Sequence, residues 1–180
     1  MITLILGLPD SGKSALAEKL VCKMASSLPD SCQKIYLATM IPYGKEGEER
    51  VQKHRKQREG KGFSTIECPG DLPQVKDEIQ QHSPCICLLE CMSNLVGNEL
   101  QAHKEEGDDT ILSIMMEDLS LLSCSCTHLC IVSNEFPLME EGYDEETIRY
   151  VQLVHRINEK LMNFCDKIYH YENGKWKELT

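Results

Sequence analysis

A short glycine-containing segment near the start of the chain has the residue types and spacing that bind phosphate groups. Its sequence is Gly-Leu-Pro-Asp-Ser-Gly-Lys-Ser, at residues 7–14. The two glycines let the backbone turn so that successive N–H groups point at phosphate oxygens, the lysine supplies a cation, and the last serine can bind Mg²⁺. The segment lies between a predicted strand and a predicted helix, which is the context that such a loop requires. We therefore expect a nucleotide site formed by Gly7, Leu8, Pro9, Asp10, Ser11, Gly12, Lys13 and Ser14.

Three acidic residues bear on this site. Asp10 lies inside the loop, where a carboxylate would oppose a bound anion, so we expect its side chain to point into solvent. Glu90 ends a predicted strand, and a carboxylate there can hold Mg²⁺ with Ser14, directly or through water. Glu135 ends another predicted strand in a similar way. The residues alone do not decide between Glu90 and Glu135 as the general base for an acceptor hydroxyl, and a solvated strand end is the structural alternative for each.

A concentration of positive charge follows at residues 50–58, with the sequence Arg-Val-Gln-Lys-His-Arg-Lys-Gln-Arg. A mixed-charge surface helix is one interpretation of such a run. The other is a cationic surface that meets a second phosphate group. His54 is the residue of the segment that can act as a nucleophile at neutral pH, because a neutral imidazole can attack phosphorus and form a phosphoramidate. Lys53, Arg55 and Arg58 would then stabilise charge on the transferred group.

Strand and helix patterns alternate along the chain. Strands are predicted at residues 2–6, 35–39, 63–67, 84–90, 128–133 and 167–171, with a turn at 173–174. Helices are predicted at about residues 14–26, 48–59, 71–81 and 145–164, with two more between about 93 and 123. This alternation predicts a single α/β domain of the P-loop NTPase type over residues 1–180, a mostly parallel sheet with helices on both faces. In such sheets, ligands bind at the carboxyl ends of the strands.

Composition excludes several classes of partner. The chain has 180 residues and a formal net charge of -10, which argues against a nucleic-acid or anionic-membrane surface as its main partner. Its apolar runs are shorter than the roughly 20 residues of a membrane span. Met1 leads directly into a predicted strand, so we expect no signal peptide and a cytoplasmic protein.

Ten cysteines are many for such a chain. Those near the apolar runs have C-x-C and C-x-x-x-C spacings, which lack the paired C-x-x-C motifs of a structural zinc site. We therefore interpret the cysteines as buried thiols or incidental residues. The other histidines have no basic neighbourhood like that of His54, and we expect them to be structural: His82, His103, His128, His155 and His170.

The order of these features resembles one family, the bifunctional adenosylcobinamide kinase/adenosylcobinamide-phosphate guanylyltransferases of cobalamin biosynthesis. After the phosphate loop come Tyr-Leu-Ala-Thr at 36–39 and Arg-Val-x-x-His-Arg at 50–55, with Arg58. Thr-Ile-Glu at 65–67 and Leu-Leu-Glu-Cys at 88–91 follow, with Asn98 beyond them. Val-Ser-Asn-Glu at 132–135 and Arg-Ile-Asn at 156–158 complete the pattern. The phosphate loop is generic, whereas the Arg-Val-x-x-His-Arg segment is specific.

The resemblance implies two reactions by a nucleotide-dependent phosphotransferase and nucleotidyltransferase. The kinase transfers the γ-phosphoryl group of ATP or GTP to the aminopropanol hydroxyl of adenosylcobinamide. The guanylyltransferase forms a GMP-histidine from GTP, and adenosylcobinamide phosphate then accepts the GMP. By position, the resemblance implies that His54 carries GMP. The residues themselves lead us to expect Lys13 and Glu90 as further catalytic residues and Ser14 and Glu90 at Mg²⁺. The resemblance also implies a homo-oligomer. The implied nucleotide contacts are residues 7–14, Ala38, Thr39, Met40, Arg55, Lys56, Gln57, Arg58, Glu67 and Glu90.

The chain differs from the usual family pattern in three places, one of which is Tyr-Val-Gln at 150–152, where the family has Phe-Arg-Asp. The family's loop usually begins Gly-Gly-Ala-Arg, whereas this one begins Gly-Leu-Pro-Asp, and Phe-Pro-Leu-Met-Glu-Glu-Gly at 136–142 replaces a glycine-rich stretch. Two other hypotheses therefore stay open. One is a P-loop kinase of another small molecule, which would need no nucleophilic histidine. The other is a nucleotide-binding regulatory module with little turnover.

Overall fold

The computed structural model describes residues 1–179 and contains a seven-stranded sheet. In chain order the strands are β1 (Ile2–Gly7), β2 (Gln33–Ala38), β3 (Phe63–Glu67), β4 (Cys85–Glu90), β5 (His128–Asn134), β6 (Lys167–Glu172) and β7 (Lys175–Glu178). Their order across the sheet is β3-β2-β4-β5-β1-β6-β7. All neighbouring pairs are parallel except β6 and β7. The carboxyl ends of the first six strands therefore share one edge, called here the carboxyl edge.

Six α-helices connect the strands. They are α1 (Lys13–Ala25), α2 (Gly44–Arg58), α3 (Lys76–Gln81), α4 (Met92–Ala102), α5 (Asp108–Ser123) and α6 (Glu145–Phe164), and a single 3₁₀ turn (Leu72–Val75) precedes α3. Asp144 caps α6, where its carboxylate accepts a hydrogen bond of 2.8 Å from the Thr147 N–H. No helix within residues 1–179 is both long enough and apolar enough to cross a bilayer.

Two apolar layers cover the sheet, one on each face. The larger layer packs α3, α4, α5 and α6 against the sheet through residues such as Met92, Leu112 and Ile157. The smaller layer joins Ala17 and Val21 of α1 to Ile5, Leu88 and other strand residues. Strands covered on both faces are continuously apolar, and every residue of β4 is buried. The expected α/β fold with helices on both faces is confirmed.

The structure differs from the predicted elements in two places. Helix α2 begins at Gly44, in what the sequence indicated as a loop. The extended segment ends at Pro42, and Gly44 has a left-handed φ of 63° where the helix starts. A short last strand, β7, was not predicted. Asn173 and Gly174 both have positive φ and turn the chain back, so that residues 175–178 pair antiparallel with β6.

Candidate active site

The phosphate loop connects the carboxyl end of β1 to the start of α1. Gly12 precedes the helix in the left-handed region (φ 84°), and Asp10 has φ 58°, which aspartate tolerates better than most residues. A side chain at Gly7 would put its Cβ 2.7 Å from Cβ of Tyr171 on β6, so only glycine fits there. Asp10 is exposed, as expected, together with Leu8, Pro9 and Gly12.

Lys13 is held inside this loop. It is 7% exposed, and its Nζ donates a hydrogen bond to the carbonyl of Leu8. Burial lowers the pKa of Lys13, while Cys91, Glu90, Asp10 and Glu135 partly oppose that shift. The hydroxyl oxygen of Ser11 is buried and has no hydrogen-bond partner within residues 1–179. The loop thus presents a buried cation and an unsatisfied hydroxyl, both of which suit phosphate oxygens.

Glu90 at the end of β4 contacts this loop. Ser14 Oγ donates a hydrogen bond to Oε1 of Glu90, although β5 separates β4 from β1 in the sheet. The carboxylate is 7% exposed, and its Oε2 is buried without a partner within the described chain. Burial raises the pKa of Glu90, and the Ser14 hydrogen bond and the nearby His54 oppose the shift. An unsatisfied carboxylate oxygen beside a serine hydroxyl matches the oxygen ligands that Mg²⁺ prefers.

His54 reaches the same carboxylate from α2. Its Nδ1 lies 3.7 Å from Oε1 of Glu90, and Nδ1 is buried and makes no hydrogen bond within residues 1–179. The side chain as a whole is 32% exposed, so the accessible part of the ring is the Nε2 side. A neutral imidazole with its hydrogen on Nδ1, toward the carboxylate, carries its lone pair on Nε2. The arrangement thus offers Nε2 as the nucleophilic nitrogen.

The other polar residues near His54 on α2 differ in burial and in their contacts. Arg58 is buried, and its guanidinium carbon lies 3.3 Å from the centre of the Tyr36 ring, while its Nη1 has no partner in the described chain. Arg55 pairs with Glu67 at 3.2 Å, and both are largely exposed. No hydrogen bond or ion pair within residues 1–179 joins Lys53, Lys56 or Gln57 to the phosphate loop. Lys56 instead lines an open cavity of about 700 Å³ between the end of α2 and β3.

The end of β2 is tied to Glu90 and Cys91 through Thr39. The Thr39 N–H donates to the Glu90 carbonyl at 3.2 Å, and its hydroxyl donates to the Cys91 carbonyl at 2.8 Å. Asn98 of α4 donates from Nδ2 to the carbonyls of Thr39 and Pro69, at 2.8 and 2.6 Å. The segment Ala38, Thr39 and Met40 is therefore held between β4 and α4. Asn98 belongs to the family pattern, but the sequence does not indicate its role, because its carbonyl partners come from two distant segments.

A second histidine and carboxylate lie near the first residue of the loop. Glu135 follows β5, and its backbone N–H donates to the Gly7 carbonyl at 3.0 Å. Nε2 of His170 on β6 lies 2.8 Å from Oε2 of Glu135, and its Nδ1 lies 2.9 Å from Oε1 of Glu172. We expected a structural role for His170, because the sequence around it lacks the basic residues that surround His54; in the fold it lies between two carboxylates. The signal that could have found it is its place near the carboxyl end of the last parallel strand.

The cysteines are all free thiols, and five of them are buried: Cys68, Cys85, Cys87, Cys91 and Cys130. Those five match the interpretation of cysteines as small apolar core residues. Cys124 is exposed and the others are half-buried.

Similarity to known proteins bears on the fold and the family of the chain. The chain is similar in structure to a solved ATPase domain, with a TM-score of 0.57 and 11% identity over 96% of this chain and 69% of that one, which shows the fold alone. No curated protein matches the chain significantly. The family model described as cobinamide kinase / cobinamide phosphate guanyltransferase matches residues 3–179. Since that model spans nearly the whole chain, the protein belongs to this family of nucleotide-dependent kinases and guanylyltransferases of cobalamin biosynthesis.

Proposed function

We propose that His54 is the residue that carries GMP in the guanylyltransferase reaction of this family member. The observation that carries the proposal is the position of His54, whose Nδ1 lies 3.7 Å from Oε1 of Glu90 while Ser14 of the phosphate loop donates to that same oxygen. A histidine so close to a phosphate loop, with Nε2 on its accessible side, is suited to attack a bound nucleoside triphosphate.

The first half-reaction follows from this geometry. Nε2 of His54 attacks the α-phosphorus of GTP, a phosphorus–nitrogen bond forms, and the bond to the bridging oxygen breaks with its electron pair leaving on pyrophosphate. The imidazole gains positive charge in this step, and the carboxylate of Glu90 beside Nδ1 stabilises it. Lys13 and the loop N–H groups stabilise the negative charge that develops on the phosphates. Arg58, whose Nη1 lacks a partner in the described chain, would add a further positive charge.

The second half-reaction reverses the bond changes at the histidine. A phosphate oxygen of adenosylcobinamide phosphate attacks the phosphorus of the GMP group, and the phosphorus–nitrogen bond breaks. The electron pair returns to Nε2, which restores the neutral imidazole, and the product is adenosylcobinamide-GDP. In the kinase reaction the same loop holds ATP or GTP for transfer of the γ-phosphoryl group.

Magnesium fits the residues at the loop. Ser14 and Glu90 would hold the ion, because they supply a hydroxyl and a buried carboxylate with an unsatisfied Oε2. When bound, Mg²⁺ neutralises charge on the phosphate oxygens. Glu67, paired with Arg55, and the segment Ala38, Thr39 and Met40 would contact the rest of the nucleotide.

Assembly and location are part of the proposal. We infer a homo-oligomer with the active site near a subunit boundary, as the resemblance to the family implies. We also infer that the protein acts in the cytoplasm, where nucleoside triphosphates are available and where the ten free thiols stay reduced.

The test is covalent labelling. Purified protein is incubated with Mg²⁺ and GTP labelled at the α-phosphate, denatured, and examined for retained label, beside His54→Asn and the control His82→Ala. His82 pairs with Gln33 at the opposite edge of the sheet. We expect acid-labile, alkali-stable label on the wild type and on His82→Ala, and none on His54→Asn. Label on His54→Asn, or no label on wild-type protein that binds GTP, would overturn the assignment.

A further inference from the structure

Two histidine–carboxylate pairs lie near the phosphate loop. His54 and Glu90 lie on the β4 side, and His170 and Glu135 lie where β5 and β6 end. The proposed guanylyltransferase reaction uses the pair His54 and Glu90 alone. The second pair has the shorter contact, 2.8 Å against 3.7 Å.

The second pair belongs to a row of carboxylates and nitrogen groups in contact with one another. His170 lies between Glu135 and Glu172, with Nε2 2.8 Å from Oε2 of Glu135 and Nδ1 2.9 Å from Oε1 of Glu172. Glu172 in turn pairs with Lys177 of β7 at 2.7 Å. His170 is 16% exposed and Glu135 is 28% exposed. Because charge-assisted hydrogen bonds are stronger and shorter than neutral ones, this row fixes the orientation of the Glu135 carboxylate.

The backbone places Glu135 beside the first residue of the loop. The Glu135 N–H donates to the Gly7 carbonyl at 3.0 Å, and His170 is paired with Leu6 in the sheet, one residue before Gly7. The next residue, Tyr171, packs so closely that Gly7 has no room for a side chain. Three adjacent strands therefore hold Glu135, Gly7 and His170 in fixed relation.

We propose that Glu135 is the general base of the kinase reaction and that His170 is the residue that positions it. The acceptor's hydroxyl oxygen forms a bond to the γ-phosphorus, the bond from that phosphorus to the leaving nucleoside diphosphate breaks, and the hydroxyl proton passes to Oε1 of Glu135. His170 contacts Oε2 of Glu135, so Oε1 remains available to accept the proton. This inference rests on the kinase half of the function.

Glu90 is less suited to that task. Its Oε1 accepts from Ser14 and faces His54, and its carboxylate is 7% exposed, whereas that of Glu135 is 28% exposed. An acceptor hydroxyl must reach the base from outside the loop, so the more accessible carboxylate is favoured. The two reactions then share the phosphate loop and divide the carboxylates between them.

The experiment measures both activities on the same variants. Phosphorylation of cobinamide with γ-labelled ATP is assayed at saturating substrates, and labelling of His54 with α-labelled GTP is assayed in parallel. The variants are Glu135→Gln, His170→Ala and His170→Gln, with His82→Ala as the matched control because it also removes a half-buried imidazole. Glutamine at 170 keeps one N–H donor for Glu135.

We expect Glu135→Gln to lower kcat for phosphorylation by about 10²-fold or more. His170→Ala should lower kcat by about tenfold to a hundredfold, and His170→Gln should recover part of that loss. Labelling of His54 should stay within about twofold of wild type in all three, as in the control.

Several outcomes would overturn the inference. An unchanged kcat in Glu135→Gln excludes the base, and parallel loss of both activities in His170→Ala shows a merely structural role. Equal effects of His170→Gln and His170→Ala exclude positioning by a donated hydrogen bond. If the wild-type protein labels His54 but phosphorylates no cobinamide, the proposed kinase reaction itself fails, and this inference fails with it. A variant that loses activity while the wild type phosphorylates cobinamide tests this inference alone.

Discussion

His54 Nδ1 lies 3.7 Å from Oε1 of Glu90, the same oxygen that accepts the hydrogen bond of Ser14. One carboxylate thus links the phosphate loop to the proposed nucleophile. Ser14, His54 and Glu90 lie on α1, α2 and β4, which are far apart in the chain. A substitution of this carboxylate should therefore affect both nucleotide binding at the loop and the reactivity of His54.

Glu90→Gln tests that link. The amide keeps the size of the side chain but cannot neutralise a cation or stabilise a charged imidazole, so we expect the rate of His54 labelling to fall by about 10²-fold or more. The Mg²⁺ concentration for half-maximal labelling should also rise. Time courses with α-labelled GTP over a Mg²⁺ titration measure both, with Glu78→Gln on the exposed surface of α3 as the control. Wild-type labelling by Glu90→Gln would contradict the assignment.

Asp10→Asn tests the carboxylate inside the phosphate loop. Asparagine tolerates the positive φ of this position, so the loop should keep its shape while losing a negative charge near the phosphates. We expect GTP to bind about threefold more tightly at low salt, with the gain shrinking as salt screens the charge. Calorimetric titration at two salt concentrations measures this, beside Asp30→Asn in the exposed connection after α1. An unchanged affinity at low salt would show that the carboxylate does not act on the site.

Asn98→Ala tests the tie between two loops. The substitution removes both hydrogen bonds that hold Thr39 and Pro69, so the segment proposed to contact the nucleotide loses its support. We expect KM for GTP to rise by about fivefold to tenfold with a smaller change in kcat, because removing a hydrogen bond costs about 1 kcal/mol. Asn163→Ala, which removes a side-chain hydrogen bond on the exposed side of α6, is the matched control. A loss confined to kcat would count against a binding role.

Asp118→Asn tests a pH dependence of stability. Burial, with Glu99, Asp71 and Glu117 nearby, raises the pKa of Asp118 on α5 to about 6. An acid whose pKa is higher in the folded than in the unfolded protein favours folding when protonated, so its contribution to stability declines as pH rises from about 4 to above 6. We expect the variant to be more stable than wild type at pH 7.5, with the advantage shrinking toward pH 4.5. Urea unfolding at both pH values measures it, and a difference that does not vary with pH would exclude this cause.

The sequence by itself determined the nucleotide loop, the strand and helix pattern, the α/β class and the family. These depend on residues close together in the chain: the spacing of Gly7, Gly12 and Lys13, the apolar runs of the strands, and the specific segment around His54. Such local patterns can be recognised in the sequence because backbone geometry and hydrophobic periodicity depend on residues only a few positions apart.

Only the tertiary structure decided which side chains meet. The insertion of β5 between β4 and β1 sets Glu90 against Ser14 and puts Glu135 beside Gly7, and the place of β6 next to β1 brings His170 to Glu135. The order of parallel strands depends on how the helical crossovers pack on the two faces of the sheet, and no short stretch of sequence encodes it. For that reason His170, which looks structural in the sequence, lies beside the phosphate loop in the folded chain.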